Sequence, residues 1–472
     1  MKRKRFLRYA GRMVMLTVIA CCLLVFCTDT TYKAKAASKK DSAKSELTDE
    51  EQSRLDARYE LGDDGIWHLK NIPDMDAMFK SIKENLTFLA KLNAAEKEGS
   101  LIKILQLSVQ RMAKQSGSLI KEEQNKSAVC MFVGDVMCLK GQQYSAGVKG
   151  GYDFSPSYSY VAKVFKTADF VCGNLETLLS ESNPITKDKV TAANGSPQCN
   201  GPVVLLKALR KSGFDMFVTA NNHTCDWGPT GIKETKTHLD EYGFPNVGTH
   251  YNTKNQKKAG ERFSIIDVNG INIAVLSYSH LINQRGYLSS SEMKTMVHCF
   301  DRDTVKADIE DARNKGADIV AVYCHWGIEN TESLNSVQKD DSQFLADAGA
   351  DLIIGSHPHC LQRCTYLTSK SGKKVLCMFS MGNFCSSMAR EINSDTLILR
   401  VVISRGKGEN GSGFEVTDAS YIPCKVTTKD GHSWVVVPTN KKLNGGYSSS
   451  VLDGAAKRIA KIIDGVIPEY KG

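Results

Sequence analysis

Two histidines separated by one proline, in Gly355-Ser356-His357-Pro358-His359, are the stretch of this 472-residue chain with the plainest chemical potential. In an extended segment residues i and i+2 lie on one side, and Pro358 keeps His357 out of the helical region, so both imidazoles can reach one centre. Two imidazoles combined with carboxylates suit zinc, manganese or iron. Further donors recur upstream: Asp135 in Gly134-Asp135, Asn174 and Glu176, Asn222 and His223, and His325. One polar residue at a strand end is ordinarily a cap or a turn residue. A whole series of ligand type, each placed just after an apolar run, reads instead as a single centre. Asp135, Glu176, Asn222, His325, His357 and His359 exceed the four donors of one tetrahedral ion and suit two divalent ions (manganese, iron or zinc) bridged by a carboxylate. Such a pocket is positive, and it favours an anionic substrate and a hydroxide nucleophile.

The elements that must position these residues alternate in type. Apolar runs at 128–133, 169–172, 215–219, 319–323, 352–354 and 375–379 read as strands, and helical patterns fall at 158–166, 202–212, 304–315 and 336–348. Phe263–Val268 and Ile271–Tyr278 flank Asn269-Gly270, the signal of a hairpin with a type I′ turn. The polar motifs fall just past the carboxyl ends of the strands, where open α/β sheets place ligands. The pattern turns β-rich after residue 393 and closes on an amphipathic helix at 451–463. The chain thus divides into a targeting segment (1–36), a helical stalk or covering element (37–127), an α/β domain (128–440) and a helical tail (441–472).

Charge excludes one class of partner. Of the formal net charge of +9, residues 1–12 supply six Lys/Arg and residues 13–36 a further net +1, leaving about +2 for residues 37–472. A nucleic-acid-binding face is not part of that balance. The basic start, followed by the apolar run Met13–Cys27 and the small residues of Ala34-Lys35-Ala36, reads as a cleaved signal peptide, a retained membrane anchor or, through Val18-Ile19-Ala20-Cys21, a lipoprotein signal. Each of the three places the body outside the cytoplasm. Twelve cysteines beyond that segment show no CxxC pair and give no pairing. Cys138, Cys172, Cys225, Cys324, Cys360 and Cys385 fall within three residues of a motif, but strand alternation turns Cys324 and Cys360 away from their histidine neighbours.

Taken together, Gly134-Asp135-Val136-Met137, Gly173-Asn174-Leu175-Glu176, Ala220-Asn221-Asn222-His223, His325-Trp326-Gly327-x-Glu329, Gly355-Ser356-His357-Pro358-His359 and Gly382-Asn383-Phe384 resemble, in order, the motifs of the CapA family of capsule and poly-γ-glutamate synthesis proteins. That family looks like a divergent branch of the calcineurin-like metallophosphoesterases. The resemblance covers about residues 128–390 and implies an α/β fold, a four-layer α/β/β/α metallophosphatase-like sandwich, here carrying an N-terminal helical extension. It implies that Asp135, Asn222, His325, His357 and His359 are metal ligands, and that His223 is a non-ligand catalytic residue that stabilises the transition state or protonates the leaving group. Two positions depart from the phosphoesterase pattern. Met137 stands where a second histidine of the first motif belongs, and the bridging aspartate is replaced by Asn174 or Glu176, of which only Glu176 supplies charge. Asn174, Glu329, His280 and Asn383 are expected to support the ligands or line the cleft.

Two functions follow from the resemblance. One is a metal-dependent hydrolase or transferase acting on an anionic cell-envelope substrate. The other is a non-catalytic, membrane-tethered subunit of a polyanion synthase or exporter, holding polymer in the metal cleft beside other synthesis subunits. Met137 and the missing aspartate favour the second; His223 favours the first.

Overall fold

Long uninterrupted apolar strands need cover on both faces, and two packed sheets provide it. The computed structural model describes residues 48–70, 87–88, 90–91, 126–189, 191, 197–251, 262–406 and 413–472. One sheet runs, edge to edge, β1 (Tyr59–Leu61), β2 (Ile66–Leu69), β9 (Phe263–Val268), β10 (Ile271–Ser279), β11 (Ile319–His325), β12 (Leu352–Ser356), β14 (Lys374–Met378) and β13 (Cys364–Thr368). The other runs β18 (His432–Pro438), β17 (Phe414–Lys429), β16 (Asp395–Arg405), β3 (Ser127–Val136), β6 (Phe170–Leu175), β7 (Met216–Val218) and β8 (Asn246–Val247), with β15 (Asn383–Cys385) beside the end of β3. β4 (Gly147–Val148) and β5 (Gly151–Tyr152) form a small separate ribbon. Each main sheet has a parallel half, β10-β11-β12-β14 in one and β3-β6-β7-β8 in the other.

Between the sheets, Phe132, Phe170 and Val218 pack with Ile273, Tyr323, Ile354 and Leu376 in one apolar cluster. Tyr323 carries its hydroxyl across this layer and donates to the carbonyl oxygens of Cys172 (3.0 Å) and Val133 (3.2 Å) of the facing sheet. The outer faces are covered by helices. Leu205 and Leu209 of the helix Leu205–Ser212 and Leu239 of Gly228–Glu241 pack on one sheet; Val305 and Ile309 of Arg302–Asn314 and Leu345 of Ser336–Ala348 pack on the other. The order is therefore α/β/β/α, as expected. The local signals behave as read: Asn269 and Gly270 both have positive φ in the β9–β10 hairpin, and Gly349 closes the helix Ser336–Ala348 in the left-handed region.

Within residues 37–127, expected to be helical, the described residues hold a helix, Asp49–Asp56, but also the strands β1 and β2. β2 pairs in parallel with β9 through Ile66↔Ile265 and Trp67↔Ile266, which is a correction to the all-helical reading of this stretch. Strands of three and four residues are too short to show a period, and what holds them is distant. Tyr59 packs edge-on against Phe170, and Arg58 Nε donates to Asp215 Oδ1 at 2.7 Å. The apolar spacing at 82–107 lies outside the described residues except for positions 87–88 and 90–91, which are helical. The targeting segment lies wholly outside them. Among the described residues no helix is long and apolar enough to cross a membrane. The helix Ser450–Ile463 buries Ala455, Ile459 and Ile463 in the layer between the sheets.

Candidate metal centre

The carboxyl end of β3 is flanked on both sides. Asp135 stands in register with Asn174 of β6 and Asn383 of β15, so three polar side chains lie abreast. The crossing is tight: a Cβ at Gly134 would stand 2.0 Å from the Gly382 carbonyl oxygen, and one at Gly355 only 1.9 Å from that of Phe379. Only glycine admits such an approach. In the facing sheet, His325 ends β11 beside Ser356, which ends β12. Packing the two sheets face to face brings these strand ends together, although their residues are far apart in sequence.

The resulting contacts are short. Asn174 Nδ2 donates to Asp135 Oδ1 at 2.7 Å, and the backbone N–H of His357 donates to Asp135 Oδ2 at 3.2 Å. His359 Nδ1 lies 3.5 Å from Asp135 Oδ2 and donates to Asn383 Oδ1 at 2.9 Å, while its Nε2 faces Glu176 Oε1 at 3.7 Å. His325 Nε2 lies 3.7 Å from the same Glu176 oxygen and 2.9 Å from Asn222 Oδ1, with its Nδ1 on Ser356 Oγ at 2.9 Å. The His325 and His357 rings are 4.8 Å apart and the His357 and His359 rings 5.8 Å. The structure thus gathers Asp135, Glu176, Asn222, His325, His357 and His359 into one buried cluster, with Asn174 and Asn383 bonded to its members.

The backbone beneath the two closing histidines is not extended. His357 has φ 93° and His359 φ 56°, both in the left-handed region that side chains other than glycine's rarely adopt. The stretch expected to be extended is instead bent: the imidazoles converge because the chain turns sharply twice. Such strain persists where surrounding bonds over-determine it. Here Asn393 Nδ2 donates to the His359 carbonyl (3.0 Å) and to Asn330 Oδ1 (2.9 Å), and the Asn330 N–H donates to the Pro358 carbonyl (2.8 Å).

Burial shapes the electrostatics. It drives His325 well below the ordinary histidine range, aided by His357 and His359, and lowers His357 to about 3. Burial pulls on His359 too, but Asp135 outweighs it and the net shift is upward. Glu176 is pushed well above the carboxylate range by burial first and by Asp135 second. Both oxygens of Glu176 are buried without a hydrogen-bond partner, as are Asn222 Nδ2 and His357 Nδ1. Unpaired buried polar groups cost about 1–3 kcal/mol each, and cations are the partners that two carboxylates and three imidazoles have in common. The donors also fall into two overlapping groups, each with ligand atoms within 4.8 Å of one another: Asp135, Glu176 and His325, and Glu176, His357 and His359. Glu176 belongs to both, which is the place a bridging carboxylate takes. These residues therefore fit divalent metal.

His223 is only 5% exposed, and its charge acts on both His325 and His357. Its Nδ1 donates to Asp226 Oδ2 at 2.7 Å. Asp226 was missed in the sequence, where its one signal is a carboxylate three residues after His223. Ser356, Asn330 and Asn393 were also missed, because a serine or an asparagine in a loop announces no partner. Two expected neighbours are placed differently. The His280 backbone N–H donates to the His325 carbonyl (3.0 Å), and its ring stacks on Phe300 at 4.2 Å with Nε2 3.5 Å from Asp341. Glu329 is exposed; it reaches Glu176 and His359 through its charge rather than a hydrogen bond. Met137 is buried and accepts a weak hydrogen bond from Ser386 Oγ at 3.5 Å. None of the six motif-flanking cysteines belongs to a donor group, whereas Cys199 joins one with His223 and Asp226.

An α/β/β/α sandwich with a histidine- and carboxylate-rich cluster at facing strand ends is the layout of a metallophosphatase-like fold. The model of the family described as "Bacterial capsule synthesis protein PGA_cap" matches residues 129–388, more than half of the chain, and the chain belongs to that family. The PGA biosynthesis protein CapA of Bacillus subtilis (strain 168) is 29% identical over 288 residues, covering 61% of this chain and 70% of that protein. The capsule biosynthesis protein CapA of Bacillus anthracis is 28% identical over 270 residues, covering 56% of this chain and 61% of that protein. Among solved structures, the calcineurin-like phosphoesterase YfkN from Bacillus subtilis aligns over 72% of this chain and 98% of its own, at a TM-score of 0.38 and 14% identity.

Proposed function

We propose that this chain is a metal-dependent hydrolase-type protein of capsule or poly-γ-glutamate synthesis, working outside the cytoplasm on an anionic cell-envelope substrate. The observation that carries the reading is Glu176: it is shared by two donor groups, and neither of its buried oxygens has a partner. Asp135, Glu176 and His325 would hold one divalent ion, and Glu176, His357 and His359 the other, with Asn222 completing the set. Bound there, the ions would polarise a substrate oxygen and lower the pKa of water. The remaining work falls to the chain. Asn174 and the His357 N–H fix the two oxygens of Asp135, and Asn383 holds the His359 ring through Nδ1. Asp226 anchors His223 through Nδ1 and leaves Nε2 as the position from which a proton reaches the leaving group. The position outside the cytoplasm is supported by the basic-then-apolar pattern of residues 1–36 and by the capsule-synthesis names of the relatives.

A second reading, a non-catalytic subunit that holds polyanion beside other synthesis proteins, is favoured by Met137, which stands where the first motif of the phosphoesterase pattern has a second histidine. His223 separates the two. His223→Ala should keep metal and fold yet lose turnover by about 10²–10⁴-fold, the usual contribution of a positioned acid. His359→Ala should lose metal as well. Metal analysis of both variants, together with an activity screen over phosphoesters and γ-glutamyl amides and a measurement of polymer output, decides between the readings. Normal output from metal-replete His223→Ala protein would sink the enzymatic one.

A further inference from the structure

Cys199, His223 and Asp226 form a donor group of their own, with ligand atoms within 4.8 Å of one another. All three are nearly inaccessible, at 2%, 5% and 0% exposure. The turn that carries His223 and Asp226 is closed by the Asp226 N–H donating to the His223 carbonyl at 3.1 Å, and the Cys199 N–H donates to Asp226 Oδ2 at 2.6 Å. The other carboxylate oxygen, Asp226 Oδ1, is buried and has no partner. Neither has Gln198 Oε1, one residue before Cys199. A thiol, an imidazole nitrogen and an unsatisfied carboxylate oxygen make up a mixed soft and hard donor set of the kind zinc takes.

We propose that Cys199, His223 and Asp226 are a separate binding site for a thiophilic divalent cation of the zinc type. Ligands of a tetrahedral zinc site stand about 3.5 Å apart, given bond lengths of about 2.0–2.3 Å, so modest side-chain rotation closes the group around an ion. Binding takes one proton from the Cys199 thiol to solvent. The His223 proton moves from Nδ1 to Nε2 as Nδ1 turns from Asp226 to the ion. The ion and the His223–Asp226 hydrogen bond therefore exclude one another, which makes occupancy a means of controlling His223. The proposal rests on these three residues and does not require the neighbouring cluster to be catalytic.

Cobalt(II) alone, titrated into the full-length protein under reducing conditions without thiol reductants, tests it. The neighbouring cluster contains no cysteine, so its cobalt gives no sulfur-to-metal charge-transfer band. The expected result is such a band, saturating at one ion per chain in the wild type and absent in Cys199→Ser. No band in the wild type, or an undiminished band in Cys199→Ser, overturns the proposal. If Cys199→Ser does not fold, X-ray absorption of the zinc-loaded wild type decides the matter: a sulfur neighbour at about 2.3 Å supports the site, and a shell of nitrogen and oxygen alone overturns it. Protein that binds metal through nitrogen and oxygen only would keep the two-ion reading and lose this one.

Discussion

The molecule buries histidines in two places, and the contrast between them shows what makes a buried imidazole functional. His325, His357 and His359 stand at or just past strand ends, beside Asp135 and beside Glu176, whose two buried oxygens have no hydrogen-bond partner. His250 and His298 face each other instead, Nε2 to Nε2 at 2.5 Å. His298 Nδ1 donates to the Ser277 carbonyl at 3.1 Å, so His250 supplies the one proton between the two rings. The charged side chains acting on this second pair, Lys236 and Arg262, are cationic. Burial depresses members of both groups: His325 and His298 fall well below the histidine range, His357 to about 3 and His250 to about 4, while His359 beside Asp135 is raised. Depressed basicity alone therefore does not mark a site. The carboxylates do, because an imidazole pair satisfies itself with one shared proton, whereas two buried carboxylates call for cations.

Glu176→Gln removes the carboxylate common to both donor groups and should weaken metal binding by well over about 100-fold, since residues that merely support ligands already contribute 10–100-fold. Calorimetric titration with manganese or zinc reads this. In the wild type, metal at 100 times its Kd should add about 2.7 kcal/mol of stability, lost on chelation; Glu176→Gln should show little change with chelator. A variant that binds as tightly as the wild type would remove the distinction between the two histidine groups.

The second test uses pH. His250 has a folded-state pKa of about 4, below the ordinary value near 6.5, so as pH falls through 6.5 the unfolded chain takes up the proton first. The stability that His250 contributes should therefore fall between about pH 6.5 and 4, by about 3 kcal/mol in all. His298 acts in the same direction. His250→Asn should flatten that part of the curve in denaturant titrations of metal-free protein. An unaltered slope would mean that the pair is not the source. The smallest effect is expected at Asn383, which holds His359 through Nδ1. Asn383→Ala should lower metal affinity by about 10–100-fold and leave the pH curve of the His250–His298 pair unchanged.

What the sequence determined by itself was whatever is written locally. Uninterrupted apolar runs become strands covered on both faces, as in β11, where every residue from Ile319 to His325 is buried. Asn269-Gly270 fixes its hairpin because only certain residues accept positive φ in both turn positions. The donors could be named in order because a ligand side chain after a strand is a pattern of residue type and position. Only the tertiary structure decided how those donors share atoms. Glu176 became common to two groups because two sheets, each assembled from distant segments, bring their carboxyl ends together. Likewise, β2 joins a sheet through a partner about two hundred residues away and brings β1 with it, and Cys199 meets Asp226 although a helix and a strand intervene. The left-handed turns at His357 and His359 are held by Asn330 and Asn393 from other loops, and nothing within Ser356-His357-Pro358-His359 specifies them. The physical reason is the same in each case: periodicity reports which face of an element is apolar, but a contact between elements depends on how those faces pack, and that is settled only when the whole chain has folded.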